Sequence, residues 1–310
     1  MKRRFDIRRY LYVAAIATVL MYVLSTFVFS RAEASFVAVI AGLLLFAFNA
    51  AVVYVTVDTF TIGLNHTAPL LFAFLALSFP SVAIYDVSYW CVVPLNAAFY
   101  LATRFYMGDV NNDLAFFYNL LLGLTSLLLP PVAWVALFML LMNLFVAADK
   151  GRFVVMSLAG FLLPLLSAMF VVYAGGDNRL LSLAIQGYLD DIAQPELTIG
   201  AMSAASVIKI LTFVICFAVA LSAFFKNSAK YSVSHARAMI MVFAYSAIAT
   251  LLALLFSYNN HTMSIMIIMV PVSIVIYDYL VWGTSDKQCR IALSFILLAA
   301  LLEYAFLWIK

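Results

Sequence analysis

Apolar positions along this chain come in long uninterrupted blocks, with polar residues confined to short breaks between them. Eleven blocks stand out: 10–30, 36–57, 67–85, 89–107, 114–129, 131–147, 153–174, 201–224, 238–257, 262–282 and 290–309. Roughly 20 mostly apolar residues in a helix cross about 30 Å of hydrocarbon. Each block is therefore predicted to be a membrane-spanning helix. Open sheets would leave backbone groups unsatisfied in lipid, and the blocks lack the strict alternation of a membrane barrel. Blocks 114–129 and 131–147 are short and meet at Pro130-Pro131. They form either two crossings or the two halves of a re-entrant hairpin. Pro80 is expected to kink the third block.

Composition narrows the class further. Of 310 residues, 67% are hydrophobic and 10% charged, and mean hydropathy is +1.11. A soluble domain is about 45–50% apolar and about 25% charged. A water-soluble fold is excluded, because too little polar surface exists to cover such a core. The net charge of +3 is spread over short loops, which excludes a nucleic-acid-binding face. Cys91, Cys216 and Cys289 stand apart without a CxxC pair, and His66, His235 and His261 show no ligand spacing. No metal and no cofactor are expected. The basic start, Met1 to Arg9, imitates a signal peptide, but the following block exceeds an h-region of about 7–15 residues. It reads as a retained first span.

Lysine and arginine in the loops set the orientation. With the N-terminus inside, Lys2, Arg3, Arg4, Arg8, Arg9, Arg104, Lys150, Arg152, Lys226, Lys230, Arg237, Lys287 and Arg290 fall on the cytoplasmic side. Arg31, Arg179 and Lys310 fall outside. Trp90, Trp134, Trp282 and Trp308 lie near span ends, where an amphipathic indole is most stable. The predicted architecture is an all-α polytopic bundle of about eleven transmembrane helices, N-terminus in and C-terminus out. It forms one transmembrane domain over residues 1–310. Small residues such as Ala14, Ala15, Ala17, Gly42, Ala50, Ala51 and Ala204 are expected to let helices approach closely.

The longest polar connection, 175–200, falls outside. Leu180, Leu181, Ala184, Ile185, Tyr188 and Ile192 recur there at helical spacing, with Asp190 and Gln194 off the stripe and Asp191 nearer its edge. This predicts an interfacial amphipathic helix, either a plain surface element or the rim of an outward-facing cavity. The basic loop 226–237 is expected to touch anionic headgroups.

Ionisable residues inside spans are costly and mark functional candidates. Lys209 and Glu303 lie at matched depths in spans eight and eleven, which predicts an ion pair or a substrate contact. Asp278, near the cytoplasmic end of span ten, suggests an interfacial partner such as Arg290 or Arg237. Glu33 and Asp86 sit in tight outer loops, where an enzyme acting on a lipid-linked donor would keep its general base. They are the catalytic candidates, and Arg31, Lys209 and Glu303 are the candidates for substrate binding.

The run Phe116-Phe-Tyr-Asn-Leu-Leu-Leu-Gly-Leu-Thr-Ser-Leu-Leu-Leu-Pro-Pro131, the basic turn Asp149-Lys-Gly-Arg152 and Phe161-Leu-Leu-Pro164 form one texture. With the basic start and serial helices, the chain resembles an uncharacterised family of polytopic inner-membrane proteins from Bacteroidota. That resemblance implies a bacterial inner-membrane location and carries no activity. The Gly…Pro-Pro hairpin and following basic turn are also similar to part of the C-superfamily of polyprenyl-phosphate-dependent glycosyltransferases. That family presents an acidic motif in a large first outer loop. Here the loop is only Ser30-Arg-Ala-Glu-Ala-Ser35, so Glu33 stands alone. Three functions stay open: envelope glycan or lipid assembly on a lipid-linked substrate, glycosyltransferase-like; a transporter or flippase; and a non-catalytic subunit or scaffold. The expected partners are membrane lipids, a polyprenyl-linked substrate and another membrane protein.

Overall fold

A computed structural model of the chain describes residues 12–13, 15–20, 23, 36–60, 67–79, 90–108, 111–147, 149–175, 178–193, 204–227, 229, 231–255, 261–283 and 286–309. Among these residues there is helix and no strand. The labelled helices are α1 (Phe36–Thr59), α2 (Ala68–Leu77), α3 (Val92–Met107), α4 (Asn112–Leu128), α5 (Val132–Leu144) and α6 (Lys150–Ala174). They continue as α7 (Asn178–Ala193), α8 (Ala204–Asn227), α9 (Val233–Leu255), α10 (His261–Asp278) and α11 (Asp286–Ile309). A single π-helical turn, Tyr279–Gly283, follows α10 directly.

Among the described residues, Ile40–Thr59, Lys150–Ala174 and Val233–Leu252 are long and apolar enough to cross a membrane. Ala68–Leu77, Val132–Leu144, Leu211–Asn227 and Ile267–Val281 are apolar but shorter. Buried hydroxyls spend their donors on their own helix. Thr56 donates to the Val52 carbonyl at 2.6 Å and Ser246 to that of Val242 at 2.7 Å. In an apolar interior such a group has no water to turn to.

Helix ends follow local chemistry. The Asp149 carboxylate accepts the Arg152 backbone N–H at 3.1 Å and starts α6. Asn111 does the same for α4 through the Asp113 N–H at 3.0 Å. These side chains satisfy donors that a helix start otherwise leaves unpaired. At Gly108, α3 stops on a φ of +130°, a conformation that costs any residue with a Cβ. Leu129, the residue before Pro130, leaves helical geometry at ψ 80° and separates α4 from α5.

The chain divides into two compact units, each assembled from separated stretches. One comprises Met1–Val87, Ile199–Ala236 and Ile268–Lys310; the other comprises Ser88–Thr198 and Arg237–Ile267. In the first unit, α1 packs on α2, and α8 packs on both α11 and the π turn. Tyr304 of α11 donates to the Leu77 carbonyl at the end of α2, 3.0 Å away. Phe79, just beyond, stacks on Phe213 of α8 with ring centres 5.7 Å apart.

In the second unit, α6 packs most closely on α4, and α4 also packs on α3 and α5. The α4–α6 crossing is made by two glycines. A Cβ on Gly123 would strike the Phe161 carbonyl, and one on Gly160 would strike the Phe116 carbonyl. Backbones this close need a residue without a side chain at each point. The sequence names other small residues for such approaches and passes over this pair. Beside the crossing, the fully buried Tyr118 accepts a hydrogen bond from the Asn143 amide of α5. Phe105 packs on Tyr118 and on Phe153, with ring centres 6.4 and 5.7 Å away.

Candidate functional site

The second unit opens at the far ends of α4 and α6. There α7, the helix expected within 175–200, lies against them. Its Tyr188 hydroxyl shares a hydrogen bond with that of Ser126 of α4. Trp134, in the first turn of α5, donates its indole N–H to the Ile192 carbonyl at 3.3 Å. That carbonyl belongs to the last turn of α7, where backbone acceptors lack helical partners. Burial pushes the Tyr188 phenol up from its ordinary range, and the bond to Ser126 draws it part of the way back. It stays a neutral hydroxyl at physiological pH.

Between these two tethers the helices do not close. A cleft of about 270 Å³ remains. One wall is Leu127 and Pro130 of the α4–α5 corner with Leu165, Ala168, Met169 and Val172 of α6. The other is Leu181, Ala184, Ile185, Tyr188 and Asp191 of α7. The same stripe that makes α7 amphipathic therefore lines the cleft. The volume falls just below that of ordinary small-molecule pockets, about 300–1,000 Å³. Leu183 and Leu189 of α7 remain exposed, so part of its apolar surface lies outside the cleft.

The first unit holds a different arrangement. His235, in the first turn of α9, is buried, and its Nε2 lies 3.4 Å from the Asp278 carboxylate at the end of α10. Its Nδ1 lies 3.3 Å from the Phe60 carbonyl beyond α1. Tyr231 stacks on the imidazole with ring centres 4.7 Å apart and donates to the other Asp278 oxygen at 3.1 Å. Both imidazole nitrogens thus face oxygen acceptors. A neutral ring can donate to only one of them, while an imidazolium can serve both. Burial, then the Asp278 charge and its hydrogen bond, push the Tyr231 phenol up, so it remains a donor. The side chain of Arg290, one of the arginines the sequence suggests for Asp278, lies outside the description; among the described residues Asp278 meets a histidine and a tyrosine. Since these residues lie on separate segments, no local motif announces them.

The sequence-derived site residues fall elsewhere. Glu33, Asp86 and Arg31 lie outside the described residues. Lys209 lies on α8 and Glu303 on α11, two helices that pack together, but their side chains are outside the description. Among the described residues, no three His, Cys, Asp or Glu side chains gather as a metal site.

No curated protein and no solved structure matches the chain. A family model does, described as a family of unknown function (DUF6427), and it covers residues 8–310. With nearly its whole length matched, the chain belongs to the DUF6427 family.

Proposed function

We propose that this is a multi-pass inner-membrane protein of cell-envelope glycan or lipid assembly, which seats a hydrocarbon chain of its substrate in the cleft beside α7. The observation that carries the reading is the cleft itself. It is walled almost wholly by apolar side chains, and one wall is an amphipathic helix that keeps further leucines exposed. A helix of this kind rests at the membrane–water boundary. A cleft between it and a spanning helix is reachable by lipid moving sideways. In this reading the chain crosses eleven times, N-terminus in and C-terminus out, which places α7 on the outer leaflet. The polar end of a lipid-linked substrate then meets the outer loops. There Glu33 and Asp86 are the carboxylates proposed for general-base chemistry, with Arg31, Lys209 and Glu303 as contacts to its polar groups.

The test is photocrosslinking with a lipid that carries a diazirine in its acyl chain, using protein in nanodiscs. Labelled peptides should come from α6 and α7, at the turns containing Ala168 and Ala184. Label spread evenly over the exposed apolar faces would sink the reading. A carrier reading draws on one observation in the other unit. The π turn interrupts α10 directly at Asp278, beside a buried histidine, and such interruptions recur at functional sites. Uptake of a labelled substrate into proteoliposomes, abolished in Asp278→Asn, would move the conclusion to transport.

A further inference from the structure

The cleft sets a condition on the headgroup as well as on the chain. Among the described residues that line it, Asp191 alone is charged, and it stands exposed at the edge. The Tyr188 hydroxyl, paired with that of Ser126, is neutral and offers no charge to balance a phosphate. The surrounding segment has the same sign: Asp177, Asp190, Asp191 and Glu196 against Arg179 within 175–200. A phosphate at the mouth would meet a carboxylate and no cation from the lining. A primary ammonium would meet an acceptor suited to its three donors.

Resting on the reading of the cleft as a lipid seat, we infer that its occupant is an amine-headed lipid, with one hydrocarbon chain between α6 and α7 and its ammonium on Asp191. A phosphate-ended chain, such as a polyprenyl phosphate, is the wrong sign for this seat. If the protein acts on one, that substrate binds elsewhere. The amine-headed lipid is then the co-substrate whose chain the cleft seats.

The experiment uses the full chain in nanodiscs of equal parts phosphatidylethanolamine, phosphatidylcholine and phosphatidylglycerol. Tightly held lipid is released and quantified by mass spectrometry. The wild type should retain phosphatidylethanolamine about fivefold over phosphatidylglycerol, the ratio that an exposed ion pair near the top of its usual range supplies. Phosphatidylcholine, whose ammonium carries no N–H, should fall between them. Asp191→Asn should retain lipid without the preference, and Asp191→Lys should turn it toward phosphatidylglycerol. Ala184→Trp, which fills the cleft, should lose retained lipid of every kind. Equal or greater retention of phosphatidylglycerol by the wild type overturns the headgroup inference and leaves the cleft as a lipid seat. So does anionic lipid held only with magnesium, which would mean a bridging cation. If Ala184→Trp retains as much lipid as the wild type, or a photoreactive group at Leu165 captures a second copy of the chain, the seat itself is refuted.

Discussion

Helix α6 is packed in two contrasting ways along one length. Near its middle, Gly160 brings its backbone onto that of α4 at Phe116, and Gly123 returns the contact at Phe161. No atom can be added there. Toward its C-terminal end, Leu165, Ala168, Met169 and Val172 face α7 across open space. One helix has thus shed side chains to make a contact and, two turns later, left a gap unfilled. Interiors are normally close-packed, so a persistent gap beside a tight crossing has the character of a place kept for something else. The two tethers of α7, Tyr188 to Ser126 and Trp134 to Ile192, are polar. They hold the helix in place without requiring its apolar stripe to be filled by protein.

The strongest way to break this contrast is at the crossing. Gly160→Val drives a branched side chain into the Phe116 carbonyl, which belongs to helix backbone and cannot rotate away. Forcing atoms into a packed interior costs about 1–3 kcal/mol and sometimes more. Backbone contact places this change near the top, at about 3 kcal/mol. The midpoint of thermal unfolding in detergent should fall sharply, and yield with it. A variant as stable as the wild type would mean that α4 and α6 are not in contact there.

How far the sequence discloses each region differs for the same physical reasons. The helices follow from apolar block length, and the α4–α5 break from Pro130-Pro131. Both are local rules, and among the described residues helices stand at those blocks, three of them long and apolar enough to cross a membrane. The stripe Leu181, Ala184, Ile185 and Tyr188 also identifies α7 and its inward side. What the stripe does not contain is whether the facing helix fills the space. Gly123 and Gly160 look like any glycines in an apolar run until their opposite backbones are known. His235, Tyr231 and Asp278 belong to three segments whose meeting is tertiary, which is why a histidine without ligand spacing reads as unremarkable. For Glu33, Asp86, Arg31, Lys209 and Glu303, the sequence argument rests on topology alone. Their side chains lie outside the described residues.

A middle-sized effect sharpens the comparison on the packed side. Tyr118→Phe removes the hydroxyl that accepts from the Asn143 amide, leaving a buried donor with no water to replace the tyrosine. The Asn143 carbonyl oxygen already lacks a hydrogen-bond partner among the described residues. An unpaired buried donor costs about 1–3 kcal/mol, and about 2 kcal/mol is expected here. The readout is again the unfolding midpoint in detergent. The double variant Tyr118→Phe with Asn143→Leu should recover part of the loss, because it removes the orphaned amide and leaves apolar atoms in its place. Failure to recover would mean that the site depends on shape and not on that bond.

The smallest effect on stability carries the most about function. Ala168→Leu places three more carbons on the α6 wall of the cleft, where about 270 Å³ stands open. With room to accept them, the change in stability should stay within about 0.5 kcal/mol, the range of substitutions that disturb no packed contact. Chain-labelled lipid should crosslink to α7 much less, since the added side chain takes the space of the hydrocarbon. The pairing of the two readouts matters more than either. Gly160→Val alters the same helix and should lose stability before anything can be said of lipid. Ala168→Leu should keep stability and lose lipid. If Ala168→Leu destabilised the protein as Gly160→Val does, the gap would be closed in the working protein, and both ends of α6 would serve packing alone.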